Sequence, residues 1–221
     1  MNIEDNKDLF PPKVYDVLRK KEFKTLRPSQ AKSVNAGLFK NKNLLVCTPT
    51  ASGKTLVAEL AFLNGVLHDK GKAVYIVPLR ALASEKYKQF KADYPSLSIG
   101  VSSGDVDSSD KYLAKHDVII TTSEKFDSLL RHRTPWIKDV KTVVVDEIHL
   151  LNSEGRGPTL EIVLTLLRRY LKNFQLIGLS ATIGNPEELS SWLDAELIID
   201  HWRPVELKKG IYQKGTIYFD E

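Results

Sequence analysis

Two short stretches carry side chains that could do chemistry together. The first is Thr48-Pro49-Thr50-Ala51-Ser52-Gly53-Lys54-Thr55, a run of small residues ending in a cation and a hydroxyl. An apolar run, Leu44 to Cys47, precedes it, and an apolar helical stretch, Leu56 to Leu67, follows. Strand, small-residue loop and helix is the setting in which a P-loop captures phosphate. Backbone N–H groups from Ala51 to Thr55 can face an anion, and the start of the helix adds partial positive charge. Gly53 has no Cβ and lets the backbone come close. Lys54 supplies a cation to terminal phosphates, and the Thr55 hydroxyl can ligate Mg²⁺. The general pattern opens with Gly, where this chain has Thr48. Taken alone, the stretch has a competing reading, a chance Gly-Lys-Thr in an ordinary strand–turn–helix.

The second stretch is Asp146-Glu147-Ile148-His149, at the end of the β-branched run Thr142 to Val145. Asp146 can hold Mg²⁺ directly or through water. Glu147 can accept a proton from, or orient, a water that attacks a γ-phosphate. An acid pair after an apolar strand is common. Paired with an upstream Gly-Lys-Thr, it reads as the other half of one metal–phosphate site, formed where two neighbouring strand ends meet. His149 alone is as compatible with a structural role as with a chemical one. Gln30 carries a donor and an acceptor on one amide, which suits an adenine edge. A solvated helix residue is the alternative, and the place of Gln30 just ahead of the P-loop strand favours adenine.

The elements that must position these groups alternate along the chain. Pro12 to Lys20 is an amphipathic helix, and Pro28 opens another running towards Phe39. Ala73–Val77, Ser98–Val101, Asp117–Ile120, Thr142–Val145, Gln175–Leu179 and Leu197–Ile199 read as further strands with helices between them. Asn185-Pro186-Glu187-Glu188 opens one of those helices with a cap, a first-turn proline and two acids. This alternation predicts an α/β domain with a mainly parallel, doubly wound sheet and helices on both faces. The motifs fall at carboxyl ends of strands, where open sheets bind ligands. Residues 1–200 form the domain, with the Gln30 segment inside 12–40. Residues 201–221 alternate like strands over Val205–Gly210 and Thr216–Phe219 and lead away from it.

At 221 residues, with 32 Lys plus Arg against 28 Asp plus Glu, the chain fits one large domain. A net charge of +4 is compatible with nucleic acid without demanding it. The single Cys47 excludes an internal disulfide and reads as a core residue of a reducing, cytoplasmic protein. No apolar run approaches the roughly 20 residues of a membrane span. The acidic, polar N-terminus is not a signal peptide.

In chain order, Arg27-Pro28-Ser29-Gln30, the Thr48–Thr55 loop, Pro78-Leu79-Arg80-Ala81-Leu82, Ser103-Gly104-Asp105, Thr121-Thr122-Ser123-Glu124-Lys125, Asp146–His149 and Ser180-Ala181-Thr182 resemble the motifs of a superfamily-two DExH-box helicase. They match its first RecA-like domain and cover almost the whole chain. DEIHLLNSEGRGPTLE, GLSATIGNPEELSSWL and Trp202-Arg203-Pro204-Val205 are similar to the Ski-like branch, and within it to archaeal Hjm-type DNA helicases. The resemblance implies a RecA-like P-loop NTPase fold that uses ATP and Mg²⁺. It implies that Gln30 and Arg27 read adenine and that Thr50, Ala51, Ser52, Gly53, Lys54 and Thr55 hold the phosphates. Thr55 and Asp146 would serve the metal, and Glu147 would be the catalytic base. His149, Ser180 and Thr182 would couple the ATP state to nucleic-acid grip. Arg80, Gly104, Thr121 and Thr122 would touch a strand's backbone. Ala51 stands where many relatives have Gly, and tolerance is expected.

The implied partners are single-stranded or forked DNA, with RNA as the alternative, and a second RecA-like domain of the same chain. The implied motor is monomeric and moves three-prime to five-prime in fork repair or recombination. The second domain would bring an arginine finger worth about 10³ to 10⁵ in rate, so the 221-residue piece is expected to hydrolyse ATP poorly. An idle, ATP-switched binding module is the reading from another class, and the intact Lys54, Asp146 and Glu147 speak against it. Arg131-His132-Arg133 and Lys208-Lys209 could extend a basic track, although solvated surface is the simpler reading.

Overall fold

Apolar runs in this chain become strands buried on both faces. The computed structural model describes residues 1–104, 111–206, 208 and 210–219. In order they form α1 (Pro12–Lys20), α2 (Pro28–Asn35), β1 (Leu44–Cys47), α3 (Lys54–Leu63), β2 (Lys72–Val77), α4 (Arg80–Asp93), β3 (Ile99–Ser102) and β4 (Val118–Thr122). Then come α5 (Ser123–Arg131), β5 (Val140–Val145), α6 (Gly157–Tyr170), β6 (Gln175–Ser180), α7 (Pro186–Leu193), β7 (Glu196–Ile199), β8 (Gly210–Gln213) and β9 (Thr216–Phe219).

Strands β1 to β7 make one seven-stranded sheet in the order β3-β4-β2-β5-β6-β1-β7. Every pairing in it is parallel. Successive side chains point to opposite faces, and each face has its own core. Leu44, Val46, Val118, Ile120 and Val144 pack with α1, α3 and α4 residues on one side. Leu45, Cys47, Ile119, Val143 and Val145 pack with α5 and α6 residues on the other. This is the doubly wound arrangement expected from the strand–helix alternation.

The topology corrects one expectation. The P-loop strand β1 and the acid-bearing strand β5 are not neighbours, because β6 lies between them and pairs with both. Their axes are therefore about 9–10 Å apart, twice the spacing of adjacent strands. Hydrophobic periodicity defines strands and faces but carries no information on lateral order.

Smaller departures have local causes. Helix α2 stops at Asn35 rather than near Phe39, because Gly37 takes a left-handed φ of 111° and breaks it. Asn185 does not cap α7 with its side chain; its Nδ2 donates to Glu188 Oε2 at 3.1 Å. In the expected strand over Val205–Gly210, Val205, Glu206 and Lys208 are not in a strand. The hairpin begins at Gly210 and turns at Lys214 and Gly215, both at positive φ, as a tight two-residue turn requires. Among the described residues no helix is long and apolar enough to cross a membrane.

Phe62 anchors the α3–α4 side, fully buried with its ring centroid 5.1 Å from Phe90 and 5.5 Å from Tyr94. Phe62→Ala is expected to lower the unfolding free energy by about 3–5 kcal/mol, read by urea denaturation. A loss below about 1 kcal/mol, the scale of a tolerated hydrophobic swap, would contradict this packing.

Candidate nucleotide site

The loop after β1 is shaped from three sides. Thr48 N–H donates to the Ser180 carbonyl at 3.2 Å, extending the β1–β6 pairing by one bond. Ser52 N–H donates to the Pro49 carbonyl at 3.3 Å, closing a turn. The Thr48 and Ser52 hydroxyls pair across the loop at 2.7 Å. Thr48, the departure from an opening glycine, thus staples the loop instead of loosening it.

The Gln30 segment holds the loop from behind. Gln30 Nε2 donates to the Gly53 carbonyl at 2.9 Å, and Arg27 Nη1 donates to the Ala51 carbonyl at 2.9 Å. Gln30 Oε1 accepts from Arg27 N–H at 2.8 Å, capping α2. One N–H and one oxygen lone pair of that amide remain for another partner. Gly53 has φ 91°, and a Cβ there would sit 2.6 Å from Gln30 Nε2. Its missing side chain therefore also makes room for Gln30.

One amide of the expected Ala51–Thr55 cradle already has a partner. The Ser52 N–H is used inside the loop. The N–H groups of Gly53, Lys54 and Thr55, at the start of α3, find no protein acceptor among the described residues. Lys54 is 9% exposed, and its ammonium lies 3.4 Å from the Ser180 carbonyl. Among the described residues no carboxylate pairs with it. A buried cation without a counter-charge is costly, so the site is poised for an anion.

The acid loop leaves β5 one strand away from β6. Asp146 N–H donates to the Ile76 carbonyl at 2.9 Å. Both carboxylate oxygens are held: Oδ1 accepts from Glu147 N–H at 3.0 Å, and Oδ2 from the Tyr75 hydroxyl at 3.0 Å. Tyr75 is fully buried on β2, opposite Val144, so Asp146 lies diagonally from it on the same face. Burial, followed by the charge of Asp146, pushes the phenol well above its usual range and keeps it a donor. Sequence reasoning missed Tyr75, whose one signal is a hydroxyl inside the otherwise aliphatic run Ala73–Val77. Glu147 sits at φ 53°, a strained position for a non-glycine residue. Its Oε2 is 3.4 Å from His149 Nδ1, close enough to attract a protonated ring but misaligned for a hydrogen bond.

Other expected residues divide between the two halves of the sheet edge. β5, β6 and β1 carry Asp146, Glu147, Ser180 and the P-loop. β3, β4 and β2 carry Gly104, Thr121, Thr122 and Arg80. Arg80 and Gly104 are exposed; Thr121 and Thr122 are buried, and Thr122 Oγ1 caps α5 by accepting from Lys125 N–H at 3.4 Å. The threonine hydroxyls therefore face inward, leaving the first amides of α5 for any outside contact. Thr182 is exposed just past β6. Asp105 lies outside the described residues, as does Lys209. Cys47 is the expected core residue; burial pushes its thiol up to about 11, so it stays protonated.

The DEAD/DEAH box helicase family matches residues 27–189. The chain belongs to that family. It is 51% identical over 210 residues to the ATP-dependent DNA helicase Hel308 of Pyrococcus abyssi, covering 95% of this chain and 29% of that protein. It is 55% identical over 215 residues to Hel308 of Methanocaldococcus jannaschii, covering 94% of this chain and 18% of the relative. The chain thus spans less than a third of the length of these relatives. Among solved structures, Mycobacterium smegmatis helicase Lhr bound to ssDNA and AMP-PNP superposes with a TM-score of 0.72 at 30% identity, covering 85% of this chain and 27% of Lhr. The DUF1998 helicase MrfA bound to DNA gives 0.73 at 24% identity, covering 88% of this chain and 30% of MrfA, a likeness of fold. The helicase fold follows from this membership, and the likeness to the Hel308 proteins agrees with the expected resemblance to archaeal DNA helicases.

Gly53→Ala is expected to cost about 1–2 kcal/mol from its left-handed φ alone, more if Gln30 is displaced, while Ala51→Gly, relieving a φ of 65°, costs nothing by urea denaturation. Equal costs for the two would refute this account of the loop. Tyr75→Phe keeps the ring but removes a donor from a charged acceptor, and is expected to cost about 1.5–3 kcal/mol. An unchanged unfolding free energy would show the Asp146 contact to be idle.

Proposed function

We propose that this chain is the first motor domain of an ATP-dependent helicase that unwinds DNA three-prime to five-prime in fork repair or recombination. The observation carrying the reading is the buried, unpaired Lys54 ammonium beside three free amides. Such an arrangement has its counter-charge outside the protein, and a triphosphate supplies it. DNA as the substrate draws support from the Hel308 relatives, described as DNA helicases.

In this reading the phosphates rest on the amides of Gly53, Lys54 and Thr55, with Thr50, Ala51 and Ser52 closing the loop around them. Lys54 neutralises charge between the β and γ groups. The Thr55 hydroxyl and the Asp146 carboxylate are hard oxygen donors. Among the described residues no cluster of three or more His, Cys, Asp or Glu side chains could enclose a metal. That donor set suits Mg²⁺, which keeps its waters and takes one or two carboxylates plus phosphates. When bound, it would offset phosphate charge. Tyr75 and the Glu147 amide fix the carboxylate that would hold it. Glu147 takes a proton from the attacking water as the bond between the γ-phosphorus and the bridging oxygen breaks, releasing ADP and phosphate. Gln30 and Arg27 face the base. His149, Ser180 and Thr182 relay the state of the site. Arg80, Gly104 and the amides after Thr121 and Thr122 grip a strand's backbone, contacts that ignore base identity. A second domain of the same chain supplies the facing wall.

In the full-length protein, Glu147→Gln is expected to keep ATP affinity and lower turnover on the order of 10² to 10⁴-fold. Unchanged turnover would restore the nucleotide-switched binding module. On matched tailed duplexes the full-length protein should unwind DNA, and a preference for RNA would overturn the substrate assignment. Robust unwinding by the 221-residue chain alone would contradict the need for a second wall.

A further inference from the structure

The exit from β7 is pinned to the nucleotide-binding end by contacts that hydrolysis does not require. Asp200, 7% exposed, accepts the Lys32 ammonium of α2 on Oδ2 at 2.8 Å and the Trp202 N–H on Oδ1 at 2.8 Å. Lys32 also donates to the Ile199 carbonyl at 2.9 Å. These bonds fix the backbone at Trp202. Its indole lies against Arg27, with the guanidinium carbon 5.3 Å from the ring. Arg27 is the residue that holds the Ala51 carbonyl of the P-loop. Trp202 belongs to neither core cluster and remains 38% exposed. A large flat ring, absent from both core clusters, is therefore held against Arg27, the residue that reaches the phosphate loop.

We propose that Trp202 is the stacking wall for the base of the nucleotide bound at the P-loop. The proposal rests on the nucleotide-site reading above and adds to it the surface that receives a purine's face, while Gln30 meets its edge. Ring atoms stack at about 3.5 Å, so a base between Arg27 and Trp202 needs about 7 Å, and the guanidinium slides by about 2 Å to admit it. The ligand class is a purine nucleoside triphosphate, distinguished from bare polyphosphate by this wall.

The test uses the full-length protein with Mg²⁺ and calorimetric titration of two probes, AMP-PNP and inorganic tripolyphosphate. Trp202→Ala is expected to weaken AMP-PNP binding by roughly ten-fold or more, within the span that base–aromatic stacking supplies, and to leave tripolyphosphate unchanged. Trp202→Phe is expected to recover most of the loss. Unchanged AMP-PNP affinity in Trp202→Ala overturns the proposal. A parallel loss for tripolyphosphate also overturns it, marking Trp202 as a strut for the outgoing chain. If the unsubstituted protein binds neither probe, the nucleotide-site reading itself fails and takes this proposal with it.

Discussion

A cation buried without a counter-ion is the constraint around which this domain is arranged. Lys54 is 9% exposed and, among the described residues, meets only a backbone carbonyl, that of Ser180, at 3.4 Å. The same carbonyl takes the Thr48 N–H at 3.2 Å, so one oxygen at the end of β6 locates both ends of the P-loop. A carbonyl dipole offsets part of an ammonium charge but cannot match a carboxylate. The fold tolerates the remainder because the N-terminus of α3 and its free amides make the region a stable place only when a dense anion fills it. Stability sacrificed locally is what turns a strand–loop–helix into a binding site.

The position of β6 matters for the same reason. Because it separates β1 from β5, the lysine and the acids stand on opposite sides of β6, about two strand spacings apart. A lysine–carboxylate contact across one spacing would satisfy both groups and leave nothing to recognise a phosphate. Separation keeps Lys54 unpaired and leaves Asp146 to be held by Tyr75 and the Glu147 amide instead. Strand β2 then has two duties. Its Tyr75 fixes the Asp146 carboxylate, and its carboxyl end leads into Arg80 on the other half of the edge. Any shift of β2 is therefore felt at both halves, which under the proposed function would link nucleotide to strand grip.

Much of this was legible in the residues. Strands such as Thr142–Val145 and the P-loop with its helix are encoded by local runs, because burial on both faces demands unbroken apolar stretches. Proline at the first helical turns of α1, α2 and α7 marks boundaries for a local reason. What stayed hidden is non-local. Lateral strand order, which put β6 between the two motifs, depends on which edges meet after chain reversal. Gly53 reads as room for phosphate until the structure places Gln30 behind it. Tyr75 reads as core until its hydroxyl is seen on Asp146. Trp202 reads as one residue of the outgoing Trp202-Arg203-Pro204-Val205 segment until Lys32 and Asp200 are seen to pin its backbone.

Under the proposed function, the same geometry leaves the site open on one side. Phosphoryl transfer spreads charge over three equatorial oxygens, and catalysis is largely its neutralisation in a site closed to water. This chain offers one lysine and three amides along a single edge. Glu147 and His149 are both about a third exposed in their side chains, so water reaches Glu147 from the open side. Arg80 and Gly104, on the adjoining half, are equally open. A surface facing this edge would shield the acid, add positive charge and sandwich a nucleic-acid strand against Arg80 in one movement. Closure driven by nucleotide and closure driven by the strand would then be the same closure, and each ligand would favour the other through it.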